Sequence, residues 1–223
     1  MMVPGAAVTR LGLAEVHLLP QRCAWLPQQR LLVAADLHLG KGETFQSWGL
    51  PVPATGTAEL EVLQRLAMQL AAHRVIILGD VIHSVAGLSA ALEERVHRWV
   101  MALGHPPLLC LGNHDRKGQG QLKTLGFEIE TDTWISEGLS MTHVPEDLPA
   151  DYPGIAGHWH PVLRLSAAGE RVRPPVFVRT GEHLVLPSLG RFTGGREIVP
   201  RDADALWAVG PAAVVPAGPT RRN

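Results

Sequence analysis

"LLVAADLHLG" (31–40) is an apolar run that stops abruptly at Asp36 and then sets His38 one residue beyond a leucine. From Arg30 to Asp36 the run is too short and too continuously apolar for an amphipathic helix, and it reads as a strand buried on both faces. "RVIILGD" (74–80) and "PLLCLGNHD" (107–115) repeat the pattern, each an apolar run ending in polar residues. Between them, a helix beginning near Thr57 sets Leu60, Leu63, Leu66, Ala67 and Leu70 on one face. "SAALEERVHRWVMALG" (89–104) is a second helix, with Leu92, Val96, Trp99, Val100 and Leu103 on one stripe. Strand, helix, strand, helix, strand predicts a parallel sheet with right-handed crossovers. In such sheets the site lies outside the carboxyl ends of the strands, where Asp36, Asp80 and Asn113 stand.

Outward from this frame the pattern loosens. "EVHLLP" and "CAWL" predict one or two strands near the start, and "GKGETFQSWGLPVPATG" (40–56) predicts a Gly/Pro-rich loop. After residue 125 come short segments broken by Gly and Pro, among them "FEIE", "LSMTH", "GIAGHWHP", "VFVRT", "HLVLP" and "ALWAV", which predict mostly antiparallel strands. No repeat or linker marks a boundary. The final "GPAAVVPAGPTRRN" (210–223) reads as a frayed tail.

Composition bounds the function. At 223 residues, 46% hydrophobic and 18% charged, the chain reads as one soluble globular domain. A formal charge of −1 gives no bulk electrostatic case for a polyanion or a membrane, so any such site must be local. Cys23 and Cys110 sit in apolar surroundings without metal-type spacing, which predicts buried free thiols in a reducing compartment. No apolar run approaches the ~18 residues of a membrane span, and the expected location is the cytoplasm.

Eleven histidines stand against one tyrosine and four phenylalanines. In chain order the polar groups at predicted strand ends are Asp36 and His38, Asp80, Asn113 with His114 and Asp115, His143, then His158 and His160. Residues at i and i+2 of a strand face the same way, so Asp36 with His38, and His158 with His160, read as two-toothed ligand pairs. Carboxylates, imidazoles and one amide oxygen, with no thiolate, suit borderline divalent metals: Mn²⁺ first, with Fe²⁺ or Zn²⁺ as alternatives. Seven ligands are too many for one tetrahedral ion and about right for two sharing a carboxylate. Each piece alone is ordinarily a turn, a strand end or a surface loop; five in order at strand ends are not.

"DLHLG", "GDVIH", "GNHD", His143 in "MTHVP" and "GHWHP" resemble the motif series of the calcineurin-like metallophosphoesterases over residues 31–161. The resemblance implies an α/β sandwich of two mixed β-sheets flanked by helices, a single domain over residues 1–209. It also implies that Asp36, His38 and His160 hold one metal ion, that Asn113, His143 and His158 hold a second, and that Asp80 bridges them. Two such ions lower the pKa of a shared water so that hydroxide attacks phosphorus in line. By the same resemblance His114 is catalytic, protonating or stabilising the leaving group, and Asp115 accepts a hydrogen bond from its ring and orients it.

The substrate is narrowed by two further resemblances. "GDVIH" sets His83 three residues after Asp80, as in the nuclease branch that includes the double-strand-break repair nucleases, where a similarly placed histidine contacts substrate phosphate. "DLHLGKG" with its following Phe, "GNHDR" and "LPSLGRFTGG" (186–195) look like the bacterial ligase-associated DNA-damage-response endonucleases, encoded beside a DNA ligase and a helicase. These imply an endonuclease of DNA repair, with Asn113, His83 and Arg116 contacting DNA and with functional association with a ligase and a helicase. Lys41, Arg116, Lys117, Lys123, Arg191 and Arg196 are candidates for a local basic rim, and Trp48 and Trp159 for stacking on bases. The competing expectations are a phosphodiesterase or phosphatase of small molecules or phosphoproteins, and a non-catalytic scaffold. The scaffold reading conflicts with the presence of all seven ligand positions.

Overall fold

The computed structural model describes residues 3–47, 49, 57–167, 170–190 and 193–218. Trp48, Arg191 and the last five residues of the expected tail lie outside them. Sixteen strands are present among the described residues: β1 (Ala7–Leu11), β2 (Ala14–Leu18), β3 (Ala24–Leu26), β4 (Leu31–Ala34), β5 (Arg74–Leu78), β6 (Leu108–Cys110), β7 (Glu128–Glu130), β8 (Trp134–Ser136), β9 (Leu139–Thr142), β10 (Gly154–Ala156), β11 (Leu165–Ala167), β12 (Glu170–Val172), β13 (Val176–Thr180), β14 (His183–Val185), β15 (Ala205–Val209) and β16 (Val214–Pro216). The helices are α1 (Lys41–Ser47), α2 (Thr57–Gln69), α3 (Ala90–Leu103) and α4 (Gln119–Thr124).

The first sheet runs β1 to β7 in chain order, antiparallel through β4 and parallel from β4 to β7. The second has the order β16-β15-β13-β14-β10-β9-β8 and is antiparallel except for β9, β10 and β14. Both sheets are mixed, and together they form a single α/β sandwich. Alternate residues of β4 and β5 explain the continuous apolar runs. Val33, Ala35, Ile76 and Leu78 enter the core between the sheets with Met141, Ile155, Phe177 and Trp207. Leu32, Ala34, Val75 and Ile77 face the other way, against Leu60, Leu63, Leu66, Val96 and Trp99 of α2 and α3. The outer face of the second sheet, including Val176, Val178, Val185 and Leu206, is covered by Leu163, Ile198 and Ala203 from extended segments.

Helix α3 is bounded as its sequence requires: the Ser89 side chain accepts from the Leu92 amide at 3.3 Å, and Gly104 closes the end at φ 74°. Three local expectations change. The segment read as a loop after Gly40 begins with α1, where the Thr44 hydroxyl donates to the Gly40 carbonyl and Gly87 packs closely against Gly40. "FEIE" joins the first sheet as a parallel strand, not an antiparallel one. Beyond residue 209 the chain does not fray at once, because β16 pairs with β15 and the Val214 amide donates to the Gly5 carbonyl.

Candidate metal centre

Five strand ends converge on one seam. Asp36 and His38 follow β4, Asp80 follows β5, and Asn113 with His114 follows β6; His143 follows β9, and His158 with His160 follows β10. Their side chains fall into two groups. Asp36, His38 and His160 form the first, with His160 Nε2 3.3 Å from both Asp36 Oδ1 and His38 Nε2. In the second, Asp80, His143 and His158 gather with Asn113; His143 Nε2 lies 3.0 Å from His158 Nδ1 and 3.1 Å from Asn113 Oδ1. Asp80 stands between them, Oδ2 3.8 Å from His38 Nε2 and Oδ1 3.6 Å from His143 Nε2.

All seven expected ligands are thus brought together, but not by the pleat of a strand. Asp36, His38, Asp80, His158 and His160 have φ of 54°, 49°, 51°, 69° and 46°, the left-handed region that costs a side-chain-bearing residue ~1–2 kcal/mol. The turns are held by backbone pairing across the loops: the Asp36 amide donates to the Gly79 carbonyl and the His38 amide to the Asp80 carbonyl. The pair His158 and His160 is accordingly divided, one residue to each group. Sequence spacing alone predicted that both would serve one ion; the family resemblance implied the division. Gly79 is needed for proximity, since a Cβ at that position would overlap the ring of His143.

Asp36, His38, Asp80 and His143 are buried, while Asn113 and His158 face solvent and give the centre its open side. The donor set fits divalent cations on an observation internal to the site. His143 Nδ1 lies 2.9 Å from the Leu78 carbonyl and donates to it, so in the neutral ring Nε2 carries the lone pair. That lone pair faces a carbonyl oxygen, a second imidazole and a carboxylate, an arrangement that a cation relieves. Burial, aided by the neighbouring His160 and His114, lowers the His38 pKa to about 2, and burial also lowers that of His158. Both are therefore neutral near pH 7, the form in which imidazole binds metal. Burial raises Asp80, against the pull of His143 and the His114 amide. For His160, burial pulls the value down, but Asp36 beside the ring outweighs it and the net shift is upward.

His114 is partly exposed at the open side, its Nε2 4.0 Å from Asp80 Oδ2. Its orientation differs from expectation. The Asp115 carboxylate is fully buried and accepts from the Ile82 and Gly112 amides, each at 3.1 Å. It therefore braces the loops after β5 and β6, and burial raises its pKa to about 6 against those two hydrogen bonds. The partner of His114 Nδ1 is instead the main-chain carbonyl of His83, at 2.7 Å. The His83 ring completes a trio with His38 and His114, and burial, Lys41 and His114 lower its pKa.

Arg116 lines a polar groove of about 520 Å³ with Asn113, Thr131, Thr133 and His143. Of the other basic candidates, Lys41 lies over the Phe45 ring, Arg196 lies over the Trp159 ring, and Lys117 and Lys123 are exposed on the turn before α4 and on α4 itself. Sequence reasoning missed Ser188, whose hydroxyl donates to the Asp36 carbonyl at 2.7 Å and so fixes the backbone of a ligand. Its signal was present in "LPSLG", a motif without an evident physical role in the sequence. Cys23 and Cys110 are buried free thiols, as expected.

A family model described as calcineurin-like phosphoesterase matches residues 29–158. The chain belongs to this family. Among solved structures, this phosphoesterase is similar to the nuclease MPE of Pseudomonas putida, with 30% identity and a TM-score of 0.82 over 95% of this chain and all of that one. It also matches the E. coli phosphoesterase YfcE at 23% identity and a TM-score of 0.47, covering 83% of this chain and 96% of that one. No curated protein matches the chain. The chain is a phosphoester hydrolase, and the two groups of Asp and His at its seam are the candidate sites for the divalent metals that the family uses. Among the described residues, no helix is long and apolar enough to cross a membrane.

Proposed function

We propose that this phosphoesterase is a dinuclear, Mn²⁺-preferring phosphodiesterase that cuts DNA as an endonuclease in repair. Asp36, His38 and His160 would hold one ion, Asn113, His143 and His158 the other, and Asp80 both. When bound, the ions make a water acidic enough to attack phosphorus near neutral pH and neutralise charge on the phosphoryl oxygens. The protein holds the ligand set rigid: the Leu78 carbonyl fixes His143, Ser188 fixes Asp36, and Asp115 ties the loops after β5 and β6. With the Nδ1 proton engaged by the His83 carbonyl, His114 in its doubly protonated form would give the Nε2 proton to the leaving oxygen and be left as the neutral Nδ1–H ring. His83 and Arg116 contact the flanking phosphates, and the polar groove beside Asn113 receives one arm of the strand.

One observation carries a nucleic acid over other phosphoesters: the Pseudomonas putida protein matched over its whole length and 95% of this chain is a nuclease. In this reading the enzyme works in the cytoplasm alongside a DNA ligase and a helicase. The test is Mn²⁺-supplemented hydrolysis of an aryl phosphodiester, an aryl phosphomonoester and circular single-stranded DNA, each with wild type and His114→Ala. Cleavage of the diester and the circle, lost in the variant, supports the nuclease. Ester hydrolysis with the circle intact would move the substrate to a small molecule or a phosphoprotein.

A further inference from the structure

A second cavity, of about 470 Å³, is lined on its apolar side by the buried Val178, Val185 and Ile198. Trp159 forms part of its wall, and its neighbours in the chain are His158 and His160, one from each group of candidate ligands. The indole is unusually well held for a half-buried side chain. Nε1 donates to Glu146 Oε1 at 3.1 Å, the Arg196 guanidinium lies 4.3 Å from the ring centroid, and the Arg196 amide donates to the Trp159 carbonyl. Glu146, Glu197 and Asp202 also line the cavity; Glu146 is the acceptor of the indole, Glu197 pairs with Arg164 at 2.7 Å and Asp202 with Arg201 at 3.7 Å.

We infer that this cavity is a nucleobase subsite, receiving the base next to the scissile phosphodiester. The inference rests on the phosphodiesterase reading above and names how its substrate is gripped. Two properties select the occupant. One side is apolar and the wall is a rigid aromatic braced by a guanidinium, which favours a planar heterocycle. Carboxylate oxygens at the mouth accept from exocyclic amines, which favours adenine, guanine and cytosine over thymine. A base lodged there has left its stack, so the substrate is unpaired at that nucleotide.

The test uses the Mn²⁺-loaded enzyme and small esters, so that it does not depend on DNA cleavage. KM is measured for the 3′- and 5′-(p-nitrophenyl) phosphates of deoxyadenosine and thymidine, and for methyl p-nitrophenyl phosphate. One of the two deoxyadenosine isomers is expected to have a KM about five- to a hundredfold below that of the methyl ester, the range of base–aromatic stacking, with thymidine weaker. Val199→Trp fills the mouth of the cavity from an exposed position and is expected to bring that ratio close to one. Asp202→Asn is expected to narrow the preference for deoxyadenosine over thymidine. Equal KM for nucleoside and methyl esters, or a ratio that survives Val199→Trp, overturns the subsite. Intact circular DNA with the ratio preserved defeats the nuclease reading but upholds the subsite; cleaved DNA with no ratio does the reverse.

Discussion

The ring of His114 stacks on that of His83, centroids 5.2 Å apart and planes inclined by 24°, while His114 Nδ1 donates to the main-chain carbonyl of His83 at 2.7 Å. The hydrogen bond is to backbone, so it fixes the His114 tautomer whatever side chain stands at 83. His114→Ala is therefore expected to cut kcat on an aryl phosphodiester by about a hundredfold to ten-thousandfold with metal content unchanged. His83→Ala, which keeps the carbonyl, should cost less. Wild-type rates in His114→Ala, measured beside elemental analysis of the same sample, would refute this role.

Asp80 offers one oxygen to each group, and its replacement acts on both. Asp80→Asn retains the shape but loses the charge, and the purified variant is expected to carry less Mn²⁺ than the roughly two ions per chain proposed for wild type. Full occupancy by elemental analysis would rule out a bridging role.

Asp115 braces two loops with both carboxylate oxygens in the interior. Asp115→Ala leaves the Ile82 and Gly112 amides without acceptors, and buried hydrogen bonds to a charged group are worth ~1.5–3 kcal/mol each. Thermal unfolding should move down by about 6–24 °C. If Asp115 instead served only to orient His114, activity would fall while the melting temperature stayed put.

Two left-handed glycines distinguish strain from collision. Gly104→Ala, at φ 74° in open space, should cost only ~1–2 kcal/mol and leave turnover intact. Gly79→Ala, at φ 75°, adds a methyl group where His143 sits and should reduce both turnover and bound metal. Equal effects of the two substitutions on turnover would contradict the packing described.

Burial pushes the thiols of Cys23 and Cys110 from 9.0 up to about 12, so at pH 8 neither is a thiolate in the folded protein. Ellman's reagent should be consumed slowly by the native protein and to two equivalents after unfolding in guanidinium chloride. The sign for stability follows. A folded-state value above the unfolded one makes a contribution that is complete below pH 9 and is lost as pH rises from 9 toward 12. Rapid native labelling at pH 8 would show the thiols to be accessible.

The core of this fold was legible where burial was two-sided. Strands β4, β5 and β6 are apolar throughout because both faces are covered, and α2 and α3 carry one stripe each with a cap at Ser89. Strands β1, β8, β12 and β16 were not legible: three to five residues at or near sheet edges, with mixed burial, do not establish a period of two. Helix α1 was hidden among glycines because its stability comes from contacts made by Gly40 and Thr44 with the Ser84–Gly87 turn. The seven ligand candidates were all named from the sequence. The left-handed backbone that aims five of them was not, since it is imposed by pairing between loops far apart in the chain. Asp115 misled for a related reason: its adjacency to His114 suggested a partner, whereas its carboxylate points back into the interior.

Each group of candidate ligands draws on both sheets. Asp36 and His38 come from the first and His160 from the second; Asp80 and Asn113 come from the first and His143 and His158 from the second. A cation held by either group is therefore a rivet through the sandwich. Sliding one sheet past the other would tear such coordination apart, so bound cations would resist shear as well as serve hydrolysis. Their binding free energy adds to the stability of the whole domain in proportion to the logarithm of free metal concentration. Scarcity of metal would then be felt in two currencies at once, slower turnover and a more loosely fastened pair of sheets.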